Sequence, residues 1–236
     1  MKALFLFATS ALFSLVFTTK SFAQDQKRID LDTFNELMIG GDFNVILTDD
    51  LENGLILTGP REAIEEVNVT LRNQKLRIEK KKSSYWFNVR TSNQRVTVEL
   101  SSAVLTGVYL SGSGNLSGSI KAEKHLKLVV SGSGSMESNL LYAQTINASV
   151  SGSGDLTLSG SCDSFIMQIA GSGNINADQL KAKVAEVKIA GSGNGRIHVS
   201  EKLNASIAGS GNLTYSGNPE RIDQSVVGSG HIRSKN

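Results

Sequence analysis

The chain has 236 residues, 39% hydrophobic and 19% charged, a balance that suits one or two globular domains and not a disordered chain. It holds 23 Gly against 2 Pro and a single cysteine, Cys162, which excludes collagen, a disulfide framework, a four-cysteine zinc site and an iron–sulfur cluster. The formal net charge is +2.

Residues 1–23 read as a secretory signal peptide. Lys2 precedes an apolar run from Ala3 to Val16, and a polar stretch ends in Ser21-Phe22-Ala23, with small residues placed for a cut after Ala23. The run is too short for a membrane span, and no later stretch approaches the roughly 20 apolar residues that one needs. The cut site has no cysteine to carry a lipid. The segment holds two lysines and no acid, so the expected mature chain has 22 bases and 22 acids. An exported chain of zero net charge argues against nucleic acid as a partner. The expected location is the periplasm, the cell surface or the medium.

Residues 24–105 read as a β-rich capping part. Leu37, Ile39, Gly41, Phe43, Val45 and Leu47 alternate around Gly40-Gly41-Asp42, the pattern of a degenerate solenoid rung. Leu55 to Thr58 reads as a short strand and Pro60 to Val67 as one or two helical turns. Val67 to Arg77 reads as a hairpin turning at Asn73-Gln74, and strand alternation returns from Arg95 to Leu110. Charge is divided sharply here: Asp25 to Glu66 carries eleven acids and three bases, and Leu71 to Val98 carries eight bases and one acid. The basic stretch includes Arg77, Lys80, Lys81 and Lys82, with Tyr85 and Trp86 beside them. Cations next to aromatic rings could contact an acidic glycan or lipid headgroups. Lysines also guard exposed edge strands against pairing, which is the plainer reading of the same residues.

Residues 106–236 are a repeat. Gly-Ser-Gly begins at Gly112, Gly132, Gly152, Gly171, Gly191, Gly209 and Gly228, with spacings of 18–20 residues. Around each copy the residues alternate: Ala148, Val150, Gly152, Gly154, Leu156 and Leu158 share one parity, and the other parity is polar. That period belongs to strands and places both glycines inward. Aligned copies form columns: Leu110, Val130, Val150, Ile169, Ile189, Ile207 and Val226 precede the motif, and Asn115, Ser135, Asp155, Asn174, Asn194, Asn212 and His231 follow it. Like residues recurring once per turn suit a parallel β-solenoid, whose rungs lie about 4.8 Å apart and let side chains stack. The fold expected is all-β: a right-handed parallel β-helix of about seven rungs, roughly 34 Å long, with an N-terminal β-rich cap. The last rung has no comparable cap, so a homo-oligomer through that end is one expectation.

Such rods often carry polysaccharide lyases and hydrolases, which need clustered carboxylates. The column after the second glycine holds one acid, Asp155, between Ser135 and Asn174. His125, His198 and His231 show no metal spacing, and Cys162 has no basic neighbour to activate it. No catalytic residue, metal or cofactor is therefore expected. The outward Ser-x-Ser-x-Asn ladders suit weak, multivalent contact with a repeating polymer.

The repeated Ser-Gly-Ser-Gly-Asn-Leu and Ala-Gly-Ser-Gly-Asn-Ile segments follow an opening Ile39-Gly40-Gly41-Asp42-Phe43-Asn44-Val45 and a segment Leu57-Thr58-Gly59-Pro60-Arg61-Glu62-Ala63-Ile64. Together they resemble the bacterial head GIN domain family of auto-transporter adhesins, from about Phe34 to Ile232. The resemblance implies a β-helical, exported, envelope-associated protein with a role in adhesion. No translocator barrel is expected after the repeats. The function expected is non-catalytic contact with a glycan, an envelope polymer or a protein partner. The alternatives are a carbohydrate-active enzyme and a self-assembling structural module.

Overall fold

The computed structural model describes residues 24–81, 95–140 and 142–235, the side chain of Leu140 excepted. The predicted signal peptide, Lys82, Tyr85 and Trp86 lie outside the described residues. The N-terminal third builds β1 (Asp25–Asp30), β2 (Glu36–Gly41), β3 (Asn44–Thr48), β4 (Gly54–Gly59), α1 (Arg61–Glu65), β5 (Val67–Arg72), β6 (Lys75–Lys80) and β7 (Thr97–Ser101). The repeats begin with β8 (Gly107–Gly112), β9 (Asn115–Ile120), β10 (His125–Gly132), β11 (Ser135–Leu140) and β12 (Ala143–Gly152). They continue with β13 (Asp155–Gly171), β14 (Asn174–Gly191), β15 (Asn194–Gly209), β16 (Asn212–Ser216), β17 (Arg221–Gly228) and β18 (His231–Ser234).

These strands stack in two ladders that form a parallel β-solenoid of about 6 turns, bounded by the seven Gly-Ser-Gly corners. One ladder runs β5, β6, β2, β8, β10 and β12, then the later halves of β13, β14 and β15, then β17. The other runs β1, β4, β7, β3, β9 and β11, then the earlier halves of β13, β14 and β15, then β16 and β18. Each Gly-Ser-Gly carries the chain from the end of a strand in the first ladder to the start of one in the second. Between the ladders lies a thin aliphatic core; on one turn Leu156, Leu158, Cys162, Phe165, Met167 and Ile169 are all buried.

The corner chemistry explains the motif. The carbonyl of the first glycine accepts two amides from the next corner: Gly152 O takes Ser172 N at 2.8 Å and Gly173 N at 2.9 Å. Gly41 O does the same for Ser113 and Gly114, which makes β2 and β3 a true rung. Sequence parity places both glycines inward, and only the second obeys. Gly114, Gly134, Gly154, Gly173, Gly193 and Gly211 are buried, whereas the first glycines sit on the outside of the corner at φ between 105° and 128°. Alternation holds only while the backbone is extended, so a parity counted through a positive φ slips.

Chain order is not stacking order in the N-terminal third. The rung formed by β2 and β3 lies between the later β6 and β7 on one side and β8 and β9 on the other. The chain lays down this rung, leaves it to build β4, α1 and β5, returns through β6 and β7, and then crosses to the far side. Antiparallel pairing of β4 with β7, β5 with β6 and β1 with β4 closes that end, which leaves less unpaired backbone than a bare rung would. The β5–β6 turn has Asn73 at φ 51° and Gln74 at φ 60°, the two left-handed residues that a tight primed turn requires. At the other end the core opens: Ile222 is 39% exposed and Val226 40%, although Leu203 and Ile207, their partners one rung earlier, are buried.

Rung length also varies at the corner remote from Gly-Ser-Gly. Ala177 pairs with Ile197 and Lys181 with His198, so Asp178, Gln179 and Leu180 bulge beyond the shorter β15. Asp178 reaches across that gap, accepting from Ser216 Oγ at 3.1 Å and pairing with Lys235 Nζ at 2.6 Å. Lys235 and Ser216 hold the Asp178 carboxyl below its ordinary value near 3.8, and Lys80 does so for Asp42. A carboxyl lowered in the folded state adds stability above its ordinary value and loses it as pH falls through the lower folded value. Urea midpoints are therefore expected to fall below about pH 4, and the Asp178→Asn variant should show a shallower fall than the parent.

Candidate functional site

Three surfaces come forward: the basic face of β6, the polar ladder along the Gly-Ser-Gly corners, and the buried thiol beneath the opposite corner. On β6, Lys75 pairs with Glu36 at 2.9 Å and Lys80 with Asp42 at 2.7 Å. Arg77 lies 3.6 Å from Glu79 and 3.4 Å from the Met38 sulfur, and Lys81 Nζ donates to the Glu65 carbonyl. The acidic and basic segments thus lie on neighbouring rungs, with acids from β2 and its corner facing bases of β6. Exposed pairs of this kind contribute at most about 1 kcal/mol each. β6 is flanked by β5 and β2, so its lysines do not guard an edge. The three described candidates Arg77, Lys80 and Lys81 share one neighbourhood; Lys82, Tyr85 and Trp86, the rest of that set, lie outside the described residues.

The column after the second glycine is a hydrogen-bonded ladder. The Asn115 amide, turned so that its oxygen meets Arg95 Nη1 at 3.2 Å, donates to Ser135 Oγ at 2.8 Å. Asn174 Nδ2 donates to Asp155 Oδ1 at 2.8 Å, Asn194 Nδ2 to Asn174 Oδ1 at 3.0 Å, and Asn212 Nδ2 to Asn194 Oδ1 at 3.1 Å. Rungs about 4.8 Å apart bring each amide to the one below it. Such bonds add about 1 kcal/mol each and hold the polar face in one fixed arrangement. Asp155 accepts from the Asn174 amide on one side and stands in register with Ser135 on the other.

Cys162 is 3% exposed among Ala143, Ala182 and the core, and burial, with Asp163 close by, pushes its thiol up to about 12. The thiolate is the reactive species. Iodoacetamide at pH 8 is expected to leave Cys162 unmodified in the folded protein and to label it in urea; rapid labelling without denaturant would contradict this packing. His198 is half-buried, its Nδ1 3.0 Å from Ser216 Oγ, and His125 and His231 are exposed. Ser216 bridges His198 and Asp178. The serine stands between the other two, whereas a nucleophilic triad needs the histidine in the middle. Among the described residues no group of three or more His, Cys, Asp or Glu could hold a metal ion.

With this geometry in view, the profile of a family described as "Putative auto-transporter adhesin, head GIN domain" matches residues 33–219. The chain belongs to that family. The head GIN match spans the capping strands from β2 onward and most of the Gly-Ser-Gly rungs. Several solved structures share the fold. A putative adhesin from Bacteroides fragilis is 24% identical, with a TM-score of 0.81, over 91% of this chain and 98% of its own. A putative adhesin from Parabacteroides distasonis is 25% identical, with a TM-score of 0.67, over 90% and 97%. A putative lipid binding protein from the same species is 23% identical, with a TM-score of 0.69, over 92% and 98%. The search of curated proteins returned no match. No helix among the described residues is long and apolar enough to cross a membrane.

Proposed function

We propose that this head GIN protein is exported to the cell envelope and acts there without catalysis, by surface contact with a glycan, an envelope polymer or a protein partner. The observation that carries the reading is the outward ladder at the Gly-Ser-Gly corners. Amides and a hydroxyl recur there at the rung spacing, Asn115 bonded to Ser135 and Asn212, Asn194 and Asn174 in a run ending on Asp155. A rigid periodic face can meet a periodic polymer at many points at once, and many weak contacts become one strong one. The signal-like residues 1–23 and the family support export. A glycan array run alongside turnover assays on acidic polysaccharides tests it. Retention without turnover is the expected result; turnover that disappears in Asp155→Ala would establish a carbohydrate-active enzyme instead.

A second reading rests on the last rung, where the inward residues Ile222 and Val226 are 39% and 40% exposed. The opposite end is closed by antiparallel strands, so two copies meeting there would join C-terminal rung to C-terminal rung in a closed dimer. Light scattering over a concentration series decides it: a Val226→Lys variant should stay monomeric where the parent dimerises, and a parent monomeric throughout removes the reading.

A further inference from the structure

At the rung ends remote from Gly-Ser-Gly, four consecutive rungs start their return strands in register. Ala143 pairs with Cys162, Cys162 with Ala182, and Ala182 with Val199. All four are buried, so their sequence neighbours point outward. Tyr142 stands on the first rung, Asp163 on the second, Lys181 and Lys183 on the third, and His198 and Ser200 on the fourth. These side chains line a shallow groove of about 520 Å³. It crosses three rung spacings, about 14 Å along the rod.

The grid has the parts that a sugar requires. Tyr142 is 46% exposed, the most exposed aromatic side chain among the described residues. Its hydroxyl donates to Asp163 Oδ2 at 2.6 Å, and Lys183 Nζ lies 2.8 Å from Asp163 Oδ1. The ring is therefore fixed before anything binds, and little side-chain freedom remains to be lost on binding. A pyranose offers an apolar face to such a ring and a rim of hydroxyls to donors and acceptors. His198 spends Nδ1 on Ser216 and leaves Nε2 for the groove. Lys183 is neutralised by Asp163, and Lys181 has no ion pair among the described residues. Among the lining residues two lysines face one carboxylate, an excess of one cation that favours a carboxylate on the ligand; Glu201, which acts on Lys183, lies outside the lining. Asp163 is the single carboxylate lining the groove, so it has no partner for acid and nucleophile chemistry.

We propose that this groove is a subsite for an acidic oligosaccharide, with Tyr142 as stacking platform, Lys181 as counter-ion to a uronate, and Asp163, His198 and Ser200 as partners of hydroxyls. The assignment rests on the surface-contact reading and gives it a place and a ligand class.

The test is an NMR titration of the mature chain with trigalacturonate and, separately, maltotriose. Trigalacturonate should shift the amides of Cys162, Ala182 and Val199 and bind at least about tenfold more weakly, roughly 1.4 kcal/mol, to Tyr142→Ala and to Lys181→Glu. Tyr142→Phe, which keeps the ring, should bind within about threefold of the parent. Binding of trigalacturonate that both variants leave unchanged, or shifts confined to Arg77–Lys81, would overturn the subsite while leaving the surface-contact reading intact. Equal binding of maltotriose would overturn the acidic preference, and no binding of either sugar would overturn the subsite. The fate of the broader reading is then decided by the array.

Discussion

Replacing Gly171 with alanine is expected to destabilise the solenoid by about 2–6 kcal/mol, from backbone strain and overpacking of about 1–3 kcal/mol each. The residue has φ 119°, and a Cβ there would stand 2.5 Å from the Gly152 carbonyl oxygen. That oxygen cannot retreat cheaply, because it accepts Ser172 N and Gly173 N from the same corner. Gly173→Ala meets a different obstacle, the Gly154 carbonyl and, at 2.6 Å, Val150 Cγ1. The two glycines of one motif thus resist substitution differently, the first by conformation and space together and the second by space alone.

Gly40→Ala is the matched control: its Cβ would approach only Glu79 Cβ, at 3.6 Å, with no positive φ, so a change within about 0.5 kcal/mol is expected. Urea unfolding followed by circular dichroism, with amide exchange to localise the damage, measures all three. A Gly171→Ala variant as stable as Gly40→Ala would show that the corner is not the constraint described.

Period and parity made much of this molecule legible. The aliphatic column ending in Val226 and the polar column from Asn115 to His231 follow from counting alone, since a solenoid translates sequence period directly into stacking. What counting could not give is which rungs are neighbours. The β2–β3 rung has the right alternation, yet nothing local in Leu37 to Leu47 says that β6 and β7 will later lie beneath it. The pairing of Glu36 with Lys75 and of Asp42 with Lys80 depends on that order, so charge counting alone does not bring the two blocks together.

The groove was hidden differently. Counted forward from the glycines, Ser161, Lys181 and His198 fall out of register, because β14 carries one extra residue relative to β13 and the three extra residues Asp178–Leu180 relative to β15. Counted back from the next Gly-Ser-Gly, Tyr142, Ser161, Lys181 and His198 stand ten, ten, ten and eleven residues before it. The return strand varies by a single residue, a bulge after Val199, because it ends on the fixed corner, and the larger insertion is absorbed at the free one.

Phe165→Ala is expected to cost about 3–5 kcal/mol, the range for emptying a buried aromatic site. Phe165 is 1% exposed and stacks between Ile146 and Ala185, with Leu203 beyond Ala185. The column thus runs large, large, small, large, and the ring fills space that Ala185 leaves. The walls cannot close on the cavity, because rung spacing is set by two ladders of backbone hydrogen bonds on either side. If volume in the column is what matters, the Phe165→Ala and Ala185→Phe changes should be coupled. The double variant should recover about 1–3 kcal/mol of the summed single costs, the usual coupling between residues in contact. Additive losses in a double-mutant cycle would show that Phe165 is held by its own rung and that the column is not a shared reservoir of packing.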